Sequence, residues 1–485
     1  MITFFAPVAS HRFSSLASLW FAVVLAAPAV AQETGPDPRE IPVPAIAAPL
    51  GKLPGVRDLP VRPALPDVMT FDDGTRVTTP AQWLRRREEM KRTLAYYATG
   101  QMPPAPGNVQ GRVVHTERLA GGVTYRLVRL SFGPAAQLGL DIGIFTPAGE
   151  GPFPAVISPA GTPPGGTVLP RLPQGPNQGK GENVLLLVGP KPEPVDPSAV
   201  TGPVIPGQVA ASGRGPATAE TIVASPGHAE LLRRGYALVT FNTNDCAEDT
   251  TLRNLDGSWA FRNTRFLPAY PGYDWGILAV WAWGASRIAD YLEQDPLIDG
   301  SKLIITGASR AGKAAMIAAA FDSRLMGAPV VTGGGGVGAY RFAGPRRSET
   351  LDIMQKKYPN WFSPNLHEFW GQRERLPFDQ HWFLALAAPR PFIALEGDTD
   401  IISLPEAVRQ SMLGAKPAYA LLGAEDRLGV NYAKHGHTFT LDDWTAMLDF
   451  ADRHLRGLPV VRSFDRIPTE AELDAAAAAV QASRP

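Results

Sequence analysis

The chain has 485 residues, with 46 basic and 46 acidic side chains, so its formal net charge is zero. Without a positive excess it lacks the electrostatic footprint that nucleic acids and anionic membrane surfaces require. Its hydrophobic share of 45% can build the core of one large domain or of two ordinary ones. Cys246 is the single cysteine, which excludes an intrachain disulfide and a cysteine-based metal cluster.

The first residues have the pattern of a secretory signal peptide. Arg12 precedes the apolar run LASLWFAVVLAA (16–27), and Ala29–Ala31 fits the small-residue rule for cleavage. The alternative is a membrane anchor, but the run is shorter than the roughly 20 residues of a bilayer span. Pro28 also ends it. We therefore expect residues 1–31 to be removed and the mature chain to be periplasmic or secreted, without stable membrane insertion.

The next segments change from irregular to strand-like. Residues 32–66 are rich in proline, which predicts a linker or a surface strap. A charged helical pattern follows at 81–100. Strand-like runs then occur at 123–132, 138–147 and 153–161, and they indicate an antiparallel beginning of a mixed sheet.

A long segment at 162–220 is dense in glycine and proline and carries one apolar run, NVLLLV (183–188). We expect it to be a surface insertion and a candidate lid over the site. Beyond residue 228 helices and strands alternate. We predict strands at the end of 229–242 and at 302–307, 328–334, 389–397 and 419–423, and helices at 274–295, 313–322, 407–413 and 441–457.

Such alternation predicts a mostly parallel sheet covered by helices on both faces, an α/β fold. We assign residues 67–460 to one domain of this kind and residues 461–485 to a C-terminal tail. Functional groups in such a sheet gather at the carboxyl ends of the strands.

The stretch IITGASRAGKA (304–314) lies at one of these ends and has two interpretations. Gly307, Gly312 and Lys313 have the spacing of a phosphate-binding loop. That loop needs serine or threonine after its lysine to hold magnesium, and Ala314 stands there instead. An exported protein also meets little ATP, so we do not favour a phosphate loop.

The second interpretation makes Ser309 a nucleophile on a strand-to-helix elbow. The helix N-terminus that follows it offers unpaired N–H groups to a developing oxyanion. The elbow pattern G-x-S-x-G is displaced by one residue, because its last glycine is Gly312. The simpler alternative is a serine that only caps the helix.

A serine nucleophile needs a base, and the base needs an orienting carboxylate. On an α/β-hydrolase elbow these follow in the order serine, acid, histidine. Asp398 and Asp400 follow one later strand, and His435 and His437 follow the next. Either aspartate could instead stabilise a turn, and either histidine could be a solvated loop residue. The order and spacing predict a triad with Ser309 and leave one member of each pair to be chosen.

Together these segments resemble the glucuronoyl esterases, carbohydrate esterase family 15, which cleave esters between xylan glucuronate and lignin alcohols. The resemblance runs from about 230 to 457 and, more weakly, back to about 80. The family elbow G-x-S-R-x-G-K is matched by Gly307, Ser309, Arg310, Gly312 and Lys313. The other matching segments are WAWGASRIADYLEQDP (281–296), YPNWFSPN (358–365), LPFDQH (376–381) and HTFTLDDWTAMLDFAD (437–452). The resemblance implies an α/β-hydrolase fold of bacterial type.

The resemblance also implies a role for each matching residue. Arg310 would stabilise the oxyanion through its backbone N–H and its guanidinium, because a fixed cation acts strongly on a developing negative oxygen in a dry site. Lys313 and Glu349 would bind the glucuronate. His381 would support the site or the core.

Two positions depart from the family. Many members take the triad acid from the strand after the elbow helix, where this chain has Thr332. The alternative family position is Asp400, so we predict a triad of Ser309, His437 and Asp400. Many members also place a tryptophan two residues after this aspartate, where this chain has Ile402. A stacking platform for the sugar is thereby lost.

We therefore expect an exported, monomeric serine esterase that hydrolyses glucuronate esters of plant polysaccharide, without a metal or cofactor and without a nucleic-acid partner. Ile402 and the insertion leave open a second substrate class, for example acetylated polysaccharide. Thr332 leaves open a relative without activity that only binds carbohydrate.

Overall fold

Alternating apolar segments in the described part of the chain form nine strands, which pair into one sheet in a computed structural model. In chain order the strands are β1 (Gln110–Arg118), β2 (Thr124–Phe132), β3 (Leu138–Thr146), β4 (Phe153–Pro159), β5 (Ala237–Phe241), β6 (Ile298–Ala308), β7 (Leu325–Val330), β8 (Phe392–Gly397) and β9 (Leu428–Ala433). Their order across the sheet is β1-β2-β3-β5-β4-β6-β7-β8-β9. The pairings among β1, β2, β3 and β5 are antiparallel, and those from β5 through β9 are parallel. The predicted fold class is confirmed.

The structure describes residues 50–172, 217–343, 349–400 and 402–469, apart from residues 51 and 255, together with parts of 471–479. All of them belong to one compact unit, Gly35–Pro485. The predictions for the signal peptide 1–31, for the apolar run 183–188 and for most of the insertion lie outside the described residues.

Helices connect the strands. The α-helices of the described residues are α1 (Pro80–Leu94), α2 (Ala219–Val223), α3 (Pro226–Arg233), α4 (Ile277–Leu292), α5 (Arg310–Phe321), α6 (Leu351–Lys357), α7 (His381–Ala387), α8 (Pro405–Leu421) and α9 (Leu441–Arg456). None of these helices combines the length and the apolar character that a bilayer span needs.

The helices cover both faces of the sheet because alternate strand residues point to opposite sides. In β4, Ala155 and Ile157 pack into one apolar core and Val156 packs into another. The first core also holds residues of α4, α5 and α7, and the second holds residues of α3 and α9. The carboxyl ends of the parallel strands are left at one edge, where loops can carry a site.

Two elements differ from the sequence predictions. The predicted strand at 419–423 is wrong, because α8 continues to Leu421 and the strand follows at β9. A short apolar run cannot by itself distinguish a helix from a strand. Strand β1 was not predicted, because its side chains are mostly exposed at the edge of the sheet and it shows no apolar alternation.

The turn from β6 into α5 depends on two glycines. A Cβ atom on Gly307 would lie 2.9 Å from atoms of Ala311. A Cβ atom on Gly312 would lie 2.7 Å from the carbonyl oxygen of Gly307 and 3.0 Å from that of Val330. Backbone atoms of helix and strands are therefore in direct contact, and only glycine fits between them.

We expect Gly312→Ala to lower the free energy of unfolding by about 1–3 kcal/mol, because the added methyl group overlaps backbone oxygens that cannot rotate away. Gly139→Ala is the matched control, since its Cβ would meet its nearest neighbour, Leu130 O, at 3.6 Å. That variant should stay within about 0.5 kcal/mol of the wild type. Urea denaturation measures both, and equal midpoints for the two variants would contradict the close packing.

Candidate active site

Ser309 occupies a strained position directly after β6. Its backbone has φ 56° and ψ −122°, a conformation that side chains with a Cβ rarely adopt. Two backbone hydrogen bonds hold it there: its N–H donates to Val330 O at 3.0 Å, and its carbonyl accepts from Lys313 N at 3.0 Å. Although Ser309 stands at the N-cap of α5, its side chain makes no capping hydrogen bond. The hydroxyl is therefore not used to begin the helix.

His437 and Asp400 form a hydrogen-bonded pair. His437 Nδ1 lies 2.9 Å from Asp400 Oδ2. Asp400 Oδ1 accepts a second hydrogen bond, from Ile402 N at 3.0 Å. The Asp400 side chain is inaccessible to solvent, whereas the His437 side chain is 33% exposed. A carboxylate on Nδ1 fixes the ring orientation and leaves Nε2 to act as a base.

His435 has a different partner. Its Nε2 lies 3.1 Å from Asp443 Oδ1 on α9, and its Nδ1 lies 2.8 Å from Gly436 O. Burial disfavours the charged ring, but the hydrogen bonds to Asp443 and Gly436 outweigh burial and raise the pKa of His435 to about 8. His435 thus anchors its loop to α9, and of the two histidine candidates it is His437 that faces Asp400.

The sheet brings the predicted residues to one edge. Ser309 follows β6, Asp400 follows β8 and His437 follows β9, all at carboxyl ends of parallel strands. β6 and β8 flank β7, so their axes are separated by roughly 10 Å. Side chains at this edge are close together: the charges of Arg310 and Asp400 both affect the pKa of Lys313.

Arg310, the first residue of α5, is held between an acid and two aromatic rings. Its Nη1 forms an ion pair with the buried Asp249. Its guanidinium carbon lies 5.1 Å from the ring centre of Trp361 and 5.7 Å from that of Tyr358. The two rings stack on each other at 3.8 Å with planes 8° apart. The Arg310 side chain remains 41% exposed, so part of it can meet a substrate.

Lys313 lies one helical turn further on and is buried. Its Nζ donates to Thr332 O and lies 5.2 Å from the ring centre of Trp361. Burial lowers the pKa of Lys313 to about 8, and the charge of Glu349 opposes this effect. The amine is therefore buried against the loop that follows β7.

Thr332, in the loop after β7, has a structural role. Its Oγ1 accepts a hydrogen bond from Val337 N at 2.9 Å and closes the four-glycine loop 333–336. Its carbonyl accepts from Lys313. The carboxylate that orients a histidine is supplied by Asp400 instead.

Glu349 and Ile402 border the same glycine loop. A Cβ on Gly333 would lie 3.0 Å from Ile402 Cδ1 and 3.3 Å from Glu349 Oε2. Glu349 also lies 3.6 Å from Lys357 Nζ in an ion pair. Both side chains therefore lie against the glycine loop.

His381 is a core residue. It is almost fully buried, and its Nε2 lies 2.8 Å from Pro66 O in the proline-rich segment. Burial lowers the pKa of His381 to about 4, so the ring is neutral near pH 7. It ties α7 to the described part of the predicted strap.

Glu396 was missed by the sequence analysis. It lies in β8, is inaccessible to solvent, and accepts a hydrogen bond from Ser403 Oγ at 2.9 Å. Its other carboxyl oxygen has no hydrogen-bond partner among the described residues. Burial and then the charge of Asp400 raise the pKa of Glu396 to about 8. A glutamate inside the otherwise apolar run PRPFIALEG (389–397) is the signal that could have revealed it.

No group of three or more histidine, cysteine, aspartate or glutamate side chains within the described ranges is arranged to hold a metal ion. The chemistry that the site can perform from its own residues is nucleophilic: a hydroxyl on an elbow, a histidine oriented by a carboxylate, and a cation at a helix N-terminus.

The chain is similar to known esterases. A family model described as glucuronyl esterase, fungi, matches residues 206–423. Carbohydrate esterase MZ0003, from an unknown prokaryotic organism, is 26% identical over 81% of this chain and 90% of its own length. The 4-O-methyl-glucuronoyl methylesterase of Podospora anserina is 27% identical over 76% of this chain and 63% of its own length.

A solved structure adds three-dimensional similarity. The carbohydrate esterase family 15 glucuronoyl esterase from Caldicellulosiruptor kristjansonii superposes with a TM-score of 0.60 at 27% identity, over 85% of this chain and 96% of that one. The glucuronoyl esterase from Solibacter usitatus, at 23% identity and a TM-score of 0.62, shares the fold over 82% of this chain and 99% of that one.

We expect Glu396→Gln to change how stability depends on pH. Between pH 5 and 8 the folded state keeps the Glu396 proton that the unfolded state loses, so wild-type stability falls as pH rises. Glutamine does not titrate, so the variant does not lose stability in this way. The free energy of unfolding of the variant, relative to that of the wild type, should therefore increase by up to about 1.4 kcal/mol per pH unit.

Urea denaturation at pH 5, 6 and 7 measures this difference, below the pH of about 8 at which Lys313 loses its proton in the folded state. Glu368→Gln, which changes an exposed glutamate, is the matched control. Parallel curves for Glu396→Gln and the wild type would show that Glu396 is ionised in the fold.

Proposed function

We propose that this chain hydrolyses 4-O-methyl-glucuronoyl esters through Ser309. The chain belongs to the glucuronoyl esterase family (carbohydrate esterase family 15) and is a carboxylic ester hydrolase. The observation that carries the proposal is the hydrogen bond between His437 and Asp400, at the same sheet edge as an elbow serine whose side chain does not cap its helix.

In the proposed mechanism His437 Nε2 takes the hydroxyl proton of Ser309 as the serine oxygen attacks the ester carbonyl. Asp400 stabilises the imidazolium that forms. The tetrahedral intermediate collapses, the alcohol leaves with the proton from His437, and an acyl-enzyme remains. A water molecule, deprotonated by His437, then attacks the acyl group. The second intermediate releases glucuronic acid and restores Ser309.

Arg310 would hold the oxyanion of both intermediates. Its backbone N–H opens α5, where the helix dipole favours negative charge, and its guanidinium is anchored beside the elbow. Lys313 and Glu349 would bind the glucuronate, with the charge on Lys313 compensating the acid group that the reaction releases. This assignment is supported by their positions beside the elbow and the glycine loop.

We also propose that the enzyme is exported, as the pattern of residues 1–31 suggests. A polymeric plant substrate outside the cell requires this location. The domain proposed at 67–460 would then carry the whole activity.

A second substrate class is favoured by Ile402. This side chain lies against the glycine loop where many relatives have a tryptophan, and an aliphatic side chain offers no flat face to a sugar ring. Hydrolysis of an acetyl ester on a xylo-oligomer is therefore the alternative activity.

We expect Ser309→Ala to reduce kcat on benzyl glucuronate by about 10³ or more, because the nucleophile is absent. Ser301→Ala, in an exposed part of β6 at the other end of the strand, is the matched control and should match the wild type. Steady-state kinetics on the mature protein measures both. Higher kcat/KM on an acetylated xylo-oligomer than on benzyl glucuronate would replace the proposed substrate. Near-normal turnover by Ser309→Ala would rule out the mechanism.

The acid can be identified by paired substitutions. We expect Asp400→Asn to reduce kcat by about 10³–10⁴, because an amide stabilises neither the required tautomer nor the imidazolium. Asp398→Asn should cost less than about tenfold, since it is Asp400 that contacts His437. The same kinetic assay compares them, and a larger loss for Asp398→Asn would reverse the assignment.

A further inference from the structure

Asp249 is a buried acid that the proposed mechanism does not use. It lies in the loop after β5, and its side chain is 5% exposed. Its Oδ2 pairs with the guanidinium of Arg310. Its Oδ1 accepts hydrogen bonds from Trp361 Nε1 at 2.9 Å and from Asn360 Nδ2 at 3.2 Å.

The partners of Asp249 are themselves fixed. Asn360 Nδ2 also donates to Thr250 O at 3.0 Å, and the N–H of Asp249 donates to Asn244 Oδ1 at 2.9 Å. The carboxylate is therefore held by the loop after α6 and by the start of α5, while its own backbone is fixed to Asn244. A carboxylate constrained in this way can orient a cation more sharply than a surface ion pair can.

Besides Asp249, the rings of Trp361 and Tyr358 contact the Arg310 guanidinium. Its side chain is 41% exposed, and an arginine in solvent samples many rotamers at a cost in entropy when it is ordered. Asp249 holds one end of the guanidinium, and the guanidinium carbon lies over the Trp361 ring, 5.1 Å from its centre. One indole thus serves both groups, donating its N–H to Asp249 and its face to Arg310.

We propose that Asp249 is a positioning residue, which holds the Arg310 guanidinium in the one orientation that meets the oxyanion formed at Ser309. This inference rests on the proposed function and assigns a residue that acts through Arg310. Arginine keeps its charge in proteins, so Asp249 changes where the charge points and does not change whether it exists. A cation oriented before the reaction needs no reorganisation in the transition state.

The test is a double-mutant cycle with Asp249→Asn and Arg310→Ala. In the wild-type background Asp249→Asn should reduce kcat by about 10- to 100-fold and change KM less than about threefold. The loss in kcat should be smaller than the roughly 10²- to 10³-fold loss that follows removal of an oxyanion donor. In the Arg310→Ala background the same substitution should change kcat less than about twofold, because the group that Asp249 positions is gone. An equal loss in both backgrounds would overturn the proposal.

Trp361→Phe keeps the ring under Arg310 and removes one donor to Asp249, so it serves if Asp249→Asn fails to fold. We expect a three- to tenfold lower kcat, again only when Arg310 is present. The matched control is Asp295→Asn, which breaks a buried ion pair with Arg126 (2.8 Å) just before β6, at the opposite end of that strand. It should lower stability and leave kcat within about twofold. A comparable fall in kcat for this control would show that the effect is only structural.

Each variant is assayed on benzyl glucuronate and on p-nitrophenyl acetate. If the wild type cleaves only the acetate, in a reaction that needs Ser309, the proposed substrate is wrong. The double-mutant cycle measured on the acetate then still tests the role of Asp249. If it cleaves neither ester, Arg310 has no oxyanion to hold and this inference falls with the function.

Discussion

The direct backbone contact between β6 and α5 is the constraint on which the rest of the site depends. Glycine at 307 and 312 lets the strand and the helix touch, and the chain can then turn only if Ser309 takes a left-handed conformation. The backbone bonds from Ser309 to Val330 and from Lys313 to Ser309 hold that conformation. The backbone strain thus lies at Ser309 itself, whose hydroxyl makes no capping hydrogen bond to α5.

This turn also concentrates charge in a dry place. The first turn of α5 carries Arg310 and Lys313, and the neighbouring strands bring Asp400 and Glu396 toward them. Such a cluster is tolerable only if its charges are paired or neutral. Arg310 is paired with Asp249, Asp400 with His437, and Glu396 keeps its proton because burial raises its pKa to about 8. The charge state of the site is therefore a property of the whole cluster.

The sequence predicted the parallel sheet, the elbow and the chain order of the site, because apolar periodicity and turn residues are local signals. Spacing alone left Asp400 beside Asp398 and His437 beside His435, and the resemblance to the glucuronoyl esterases selected Asp400 and His437. In the structure Asp443 of α9 binds His435, and His437 contacts Asp400. Asp249 was not identified because its partners Arg310 and Trp361 lie far along the chain, and Glu396 was not identified because its burial depends on the packed sheet. Residues 419–421, predicted as part of a strand, continue helix α8, where the side chain of Tyr419 is buried.

The position of Asp400 beside His437 has a structural rationale. β8 and β9 are neighbours, so the loops that carry Asp400 and His437 touch directly. Asp398 N donates to Ala433 O at 2.9 Å, and Thr399 N donates to His435 O at 3.1 Å. These bonds join the two loops just before Asp400 and His437. The ring of His437 is thereby oriented by a residue that follows the neighbouring strand, and Thr332, after β7, closes the glycine loop with its hydroxyl. The contact between Asp400 and His437 therefore depends on one strand pairing, that of β8 with β9.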